Sequence, residues 1–206
     1  MGLFKHELTN PVSILPHDGE VWYTPHFFGP AQSANYFQRL YDELDWQRDE
    51  LMMFGKRIIT KRMVTWYGDS ELSYTYSKIE RKAKPWPAVL WEIKEYLEKS
   101  TQTSFNSCLG NLYHNGEEGM SWHSDDEPEL KHNGSIASLS FGAIRQFQFK
   151  HQRDQTKIAL ELLPGSLLLM QGATQQYWKH QLPVSKKVRT PRINLTFRTI
   201  IPNQKK

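Results

Sequence analysis

The chain has 206 residues, a formal net charge of +4 and a pI near 9.0, which is length enough for one domain with a sizeable core and a mild bias towards polyanionic partners. Its one cysteine, Cys108, excludes an intrachain disulfide and a cysteine-rich zinc site and fits a reducing compartment. Lys5, His6, Glu7, Asp18 and Glu20 interrupt the N-terminal stretch, so the sequence predicts neither a signal peptide nor a membrane-spanning helix.

Residues 1–25 read as an irregular arm, because Pro11, Pro16, Pro25 and the pair Asp18-Gly19 punctuate them. Pro30 suits the first turn of a helix, and Tyr36, Phe37, Leu40 and Leu44 recur at helical spacing, which predicts a helix over 31–44. In the stretch 46–66, Met52, Met53, Phe54 and Gly55 stand between Arg48, Lys56, Arg57, Lys61 and Arg62. Ile58, Ile59, Val64 and Trp66 make 57–66 a strand, and Gly55 marks a hairpin tip. Two readings of that tip stay open. The Met and Phe side chains pack into a core, or they form an apolar wedge between phosphate-holding cations, as in proteins that prise bases apart.

Tyr67-Gly68-Asp69 reads as a turn, and Tyr74 and Tyr76 share one face of a short extended segment. Such a pair is either half-buried packing or a stacking wall for a base. Pro85 and Pro87 open a second helix whose stripe of Trp86, Val89, Leu90, Ile93 and Leu97 assigns it to scaffolding. From residue 106 the texture changes to short strands, predicted at 108–114, 135–141, 144–151, 157–163, 166–171, 176–182 and 192–201. Asn115-Gly116, Asn133-Gly134 and Pro164-Gly165 punctuate them, and 151–156 reads as an exposed polar loop. Helices followed by many short strands imply an α+β chain whose second half is a jelly roll or related barrel.

The chemistry centres on Trp122-His123-Ser124-Asp125-Asp126-Glu127. In an extended backbone His123 and Asp125 project to the same face. They would supply two corners of a facial two-histidine, one-carboxylate site, the arrangement that leaves Fe(II) three open positions. Taken alone, His-x-Asp is a weak signal that reads more readily as a solvated surface turn. A third ligand must come from elsewhere. His180 lies shortly before the strictly alternating segment Arg192-Ile193-Asn194-Leu195-Thr196-Phe197-Arg198, whereas no such strand follows His114, His132 or His151. That segment has an apolar face and a polar one, and the polar face is either the outside of a sheet or the wall of a cavity that holds a dicarboxylate between arginine forks.

Together, His123-x-Asp125, the distal His180 and Arg192-x-Asn194-x-Thr196-x-Arg198 resemble the AlkB-type Fe(II)/2-oxoglutarate dioxygenases, in the branch that demethylates duplex DNA. Supporting motifs in the same order are Phe54-Gly55-Lys56, Tyr67-Gly68-Asp69, Tyr74-Thr75-Tyr76, Asn111-x-Tyr113, Asp126-Glu127, Ser138-x-Ser140-Phe141-Gly142 and Pro164-x-Ser166-Leu167-Leu168. The resemblance implies a double-stranded β-helix core over 106–201. Helices and a β-hairpin nucleotide-recognition lid would fill 26–105 of a single domain. It implies Fe(II) on His123, Asp125 and His180, 2-oxoglutarate against Asn111, Tyr113, Arg192, Asn194, Thr196 and Arg198, and O₂ as the oxidant. Arg198 would sit at the metal-binding end beside Asp125.

The same resemblance makes Phe54, Gly55 and Lys56 a DNA-probing finger and Arg62 a contact to the opposite strand. Tyr74, Thr75, Tyr76, Asp126 and Glu127 would form the damaged-base pocket. Tyr76 departs from the Phe common in that branch and brings a hydroxyl into the pocket. The expected activity is oxidative demethylation of 1-methyladenine and 3-methylcytosine, releasing formaldehyde, succinate and CO₂. The expected partner is alkylated DNA, duplex rather than single strand. No membrane partner is expected, and the implied state is a monomer in the cytoplasm, or in the nucleus of a eukaryote. Demethylation of RNA or single strands by the same chemistry, and a cupin-like metal protein without oxidation, are the alternatives.

Overall fold

A computed structural model describes residues 11–53, 56–69, 72–76 and 79–201, with backbone alone at 49–53, 56–59, 73–76 and 79–82. Helix α1 (Pro30–Glu43) begins at its proline and buries Ser33, Tyr36 and Leu40. Helix α2 (Ala88–Thr101) begins just after Pro85 and Pro87 and buries Val89, Leu90, Ile93, Lys94 and Leu97. Both helices were expected from their apolar spacing, and both lie on one face of a large sheet.

That sheet runs β1 (Val12–Ser13), β2 (Glu20–Thr24), β12 (Ser166–Gln171), β9 (Ile136–Gly142), β14 (Arg192–Arg198), β7 (Ser107–Tyr113), β4 (Lys56–Gly68) and β3 (Gln47–Met53). A second sheet runs β11 (Lys157–Leu162), β10 (Arg145–His151), β13 (Trp178–Leu182) and β8 (Met120–His123). A separate hairpin pairs β5 (Ser73–Tyr76) with β6 (Ile79–Lys82). The two larger sheets form a jelly roll, the double-stranded β-helix that the sequence implied.

Strand alternation settles which face goes where. On β14, Ile193, Leu195 and Phe197 are fully buried in one core cluster with the α2 stripe. Each such side chain contributes roughly 1.5–3 kcal/mol by leaving water. The opposite face carries Arg192, Asn194, Thr196 and Arg198 into a cavity between the sheets, not into solvent. A second cluster, including Val21, Ile136, Phe147, Phe149, Leu168 and Trp178, fills the rest of the space between the sheets.

Three local expectations need correction. The arm is not irregular throughout, because Glu20–Thr24 forms β2 and pairs with β12 from Leu167↔Thr24 to Gln171↔Glu20. The segment Glu-Val-Trp-Tyr-Thr is rich in strand formers and buries Val21, and the turn residues around it merely bracket it. Tyr67 and Gly68 are not a turn, because β4 runs through them. Tyr67 is buried, and its hydroxyl accepts from the Asp45 amide at 3.0 Å. The strand expected at 176–182 starts at Trp178, since Thr174–Tyr177 wind one helical turn, α3.

The β3–β4 hairpin forms as expected, with Met53↔Lys56 as its last described pair, while Phe54 and Gly55 lie outside the described residues. Strand β4 pairs with β7 only between Met63↔Leu112 and Gly68↔Ser107. Lys56–Arg62 therefore extends past β7, with β3 alone beside it among the described residues. No helix among the described residues is long and apolar enough to cross a membrane.

Candidate active site

The pairing of β8 with β13 sets His123 directly opposite His180, with ring centroids 4.2 Å apart. Asp125 lies just past the end of β8, where its backbone N–H donates to Gln175 Oε1 at 2.9 Å. One ligand atom from each of His123, Asp125 and His180 falls within 4.8 Å of the other two. The three residues singled out in the sequence thus meet at one place, although 55 positions separate Asp125 from His180.

Hydrogen bonding assigns the ligand atoms. His123 Nδ1 lies 2.7 Å from the Ser121 carbonyl oxygen. A carbonyl only accepts, so Nδ1 carries the proton and Nε2 keeps its lone pair for a metal. His180 is buried, and burial pushes its pKa down to about 3 although the Asp125 carboxylate opposes the shift. It is therefore the neutral imidazole that a metal requires. Phe147 stacks on its ring at 5.4 Å and limits its rotation.

Asp125 is also buried, and burial alone would raise its pKa. The Arg198 charge, followed by His180 and His123, outweighs that cost and holds the carboxyl below its usual range. Arg198 Nη2 donates to Oδ1 at 2.7 Å, while Oδ2 faces His180 Nε2 at 3.9 Å. One carboxylate oxygen is engaged by the arginine and the other is turned to the histidines.

The same cavity, about 350 Å³, is walled on its other side by β14 and β7. Arg192 is 2% exposed and pairs in register with Tyr113, over whose ring its guanidinium sits at 5.6 Å. Its Nη2 donates to Ser140 Oγ at 2.9 Å, its buried Nε has no hydrogen-bond partner, and no carboxylate pairs with it among the described residues. Burial, reinforced by the nearby Arg145 and opposed by Tyr113, lowers its pKa to about 10. A buried guanidinium without a counter-charge is costly, and a carboxylate ligand would supply one. Asn111 and Thr196 line the same wall, and Asn194 Nδ2 is committed to Ser138 Oγ at 2.8 Å and the Leu139 carbonyl at 3.0 Å. Two imidazoles, a carboxylate presented through one oxygen and an uncompensated arginine in one cavity fit divalent iron together with a dicarboxylate.

The expected substrate residues divide. Asp126 is exposed and Glu127 half-buried at the cavity mouth, where Glu127 Oε1 lies 3.8 Å from Arg198 Nη1. Arg62, expected to reach an opposite DNA strand, is 8% exposed and lines the cavity, its Nη1 donating to Met120 Sδ at 3.2 Å. Phe54 and Gly55 lie outside the described residues, as do the side chains of Lys56, Tyr74, Thr75 and Tyr76, whose backbones belong to β4 and β5.

Sequence reasoning gave no role to Gln175, Ser140 or Arg145. Gln175 carries no signal in a single sequence. Arg145 is 2% exposed and donates to the carbonyls of Asn115, Glu118 and Pro183 at 3.3, 2.8 and 2.8 Å. Its place in the alternation of Arg145, Phe147, Phe149 and His151 was the available clue.

The sequence pattern of the 2OG-Fe(II) oxygenase superfamily matches residues 20–198. The chain is 40% identical to the human protein named DNA oxidative demethylase ALKBH2 over 189 residues, 86% of this chain and 72% of that one. It is 45% identical to human alpha-ketoglutarate-dependent dioxygenase alkB homolog 3 over 152 residues, 69% of this chain and 52% of that one. Against the bovine proteins of the same two names it spans 68% and 65% of the relative's length, at 40% identity to each. Among solved structures, that of OsALKBH1 superposes with a TM-score of 0.61 at 16% identity, covering 90% of this chain and 99% of that one, a likeness of fold.

Proposed function

We propose that this chain, which belongs to the 2OG-Fe(II) oxygenase superfamily and to its AlkB family, removes N-methyl groups from damaged DNA bases by oxidation. The observation that carries the reading is the meeting of His123, Asp125 and His180 with the uncompensated Arg192 in one cavity. Relatives named DNA oxidative demethylase support the choice of substrate. When bound, Fe(II) with 2-oxoglutarate and O₂ supplies the oxidation: the co-substrate leaves as succinate and CO₂, one oxygen atom enters the methyl group, and the hydroxymethyl leaves as formaldehyde.

The chain's own residues position these partners. His123 through Nε2, His180 and Asp125 through Oδ2 hold the metal. Arg198 fixes Asp125 so that a single oxygen faces inward. Arg192 takes the distal carboxylate of 2-oxoglutarate, with Ser140 orienting its fork and Tyr113 forming the wall beneath. Asn111, Asn194 and Thr196 complete that wall. Asp126 and Glu127 place negative charge at the mouth, which favours the cationic bases 1-methyladenine and 3-methylcytosine. All of these groups come from one chain, and a monomer suffices. The substrate confines the work to a compartment that holds DNA, nuclear or cytoplasmic according to the cell.

Duplex DNA is the proposed form. The described part of the β3–β4 hairpin extends past β7 as far as the pair Met53↔Lys56, and in the sequence Phe54 and Gly55 connect those two residues. A base in a duplex must leave the stack before it can be oxidised, and a side chain that fills the gap keeps it out. The test is formaldehyde release from 1-methyladenine and 3-methylcytosine in duplex DNA, single-stranded DNA and RNA, with and without Fe(II). Iron-dependent release that favours duplex DNA is expected. Preference for RNA or single strands would move the substrate while keeping the chemistry, and no release from any of them would refute the reading.

A further inference from the structure

A second cluster of metal-ligating side chains lies apart from this cavity. His17 precedes β2, His151 ends β10, and Asp154 lies in the turn to β11. His17 Nε2 is 3.2 Å from Asp154 Oδ2, and His151 Nδ1 is 2.9 Å from Asp154 Oδ1. On the far side of both rings, Asp18 Oδ2 is 3.4 Å from His17 Nδ1 and 3.3 Å from His151 Nε2. Asp18 reaches this position from a left-handed backbone, φ 51°.

The group converges on His151 Nδ1: the Asp154 backbone N–H donates to it at 3.3 Å, and Asp154 Oδ1 lies 2.9 Å away. The His151 side chain is 3% exposed, and its buried Nε2 finds no hydrogen bond of acceptable geometry. The Thr156 amide, bonded to Asp154 at 2.9 Å, leads the interactions that hold that carboxyl ionised, with a pKa lowered to about 2. Two carboxylates and two imidazoles in contact carry a charge of about −2 when the rings are neutral, which a divalent cation cancels.

We propose that His17, His151 and Asp154 bind a zinc-class divalent cation, with Asp18 as the carboxylate that orients both imidazoles. Two nitrogens and a carboxylate oxygen are a zinc donor set, with bonds of about 2.0–2.1 Å and tetrahedral edges of about 3.3 Å; here His17 Nε2 is 3.2 Å from Asp154 Oδ2, and one ligand atom from each of the three residues lies within 4.8 Å of the other two. A carboxylate on the outer nitrogen is the usual support for a ligating histidine.

The cation would fasten the N-terminal segment to the β10–β11 turn, against the strand that carries His180. Trp178, which begins that strand, donates through Nε1 to the His17 carbonyl at 3.0 Å and packs against the His151 ring at 4.9 Å. A Cβ on Gly19 would come within 3.2 Å of Trp178 and 2.8 Å of Leu15, so the segment already lies close against this strand. The competing occupant is a proton, with His151 as an imidazolium between the two aspartates.

The test removes the other site first. The full-length protein carrying His123→Ala and Asp125→Ala is equilibrated with Zn²⁺, passed through a desalting column and assayed for zinc. One equivalent per chain is expected, together with a rise in Tm of about 5–10 °C at a hundredfold excess of free Zn²⁺ over its Kd. Adding His17→Asn and Asp154→Asn, both on half-exposed side chains, should remove the equivalent and the rise while the melt stays cooperative. Co²⁺ in place of Zn²⁺ should give the visible d–d bands of a four-coordinate ion before that second pair is added. No zinc and no cobalt bands in the first variant, or zinc retained in the second, would overturn the proposal in favour of the proton.

Discussion

Arg198 on β14 donates through Nη2 to Oδ1 of Asp125 at 2.7 Å, joining the large sheet to the loop after β8 across 73 residues of sequence. The bond leaves Oδ2 as the oxygen that faces His180, and it offsets the cost of burying the carboxylate. Arg198→Met removes both effects. The variant should bind Fe(II) about 10–100-fold more weakly, the usual cost of losing a group that orients a ligand. The iron dependence of succinate formation reads the change. An unchanged dependence would separate Arg198 from the metal end.

Arg192 predicts a different signature. Removing one partner of a buried carboxylate–guanidinium pair costs roughly 3–5 kcal/mol, more than a hundredfold in binding. Arg192→Met should raise the requirement for 2-oxoglutarate by that factor. Without co-substrate, Arg192 has no carboxylate partner among the described residues, so the variant's own Tm should not fall. The stabilisation that 2-oxoglutarate gives the native protein should be lost. A variant that melts early with or without 2-oxoglutarate would make Arg192 structural.

His123→Ala, Asp125→Ala and His180→Ala should each abolish turnover, because a two-ligand site holds divalent iron poorly. Chelation of the native protein should do the same, Fe(II) should restore it, and Zn²⁺ or Ni²⁺ should inhibit by filling the site without its redox chemistry. Full activity in any of the three variants would remove that residue from the metal.

Phe54→Ala should lose far more activity on duplex than on single-stranded DNA, since only a duplex leaves a gap to fill when a base is extruded. Decarboxylation of 2-oxoglutarate without DNA should persist, because His123, Asp125 and His180 are untouched. Equal losses on both substrates would put Phe54 in the core.

Much of this architecture was legible in the sequence where periodicity was strong. The alternation of Arg192–Arg198 announced a two-faced strand, and the apolar spacing announced both helices. Which face of β14 met water was not legible, because alternation is the same for a solvated sheet and a cavity wall, and only the second sheet decides. The register that sets His123 against His180 was hidden too, since pairing between distant strands leaves no local trace. Strand β2 escaped because its five residues sit among turn formers, and Arg145 because a buried arginine reads like a surface one. The extended-backbone argument for His123 and Asp125 reached the right juxtaposition, although Asp125 lies just beyond the strand.

The most direct measurement is the stoichiometry of coupled turnover on a duplex carrying 1-methyladenine, with Fe(II), 2-oxoglutarate and O₂. Succinate, formaldehyde and unmodified adenine should appear in equal amounts, and all three should vanish in His180→Ala. Succinate without formaldehyde on this duplex and on every other methylated nucleic acid tried would contradict the account, because the cavity would then oxidise something other than a methylated base.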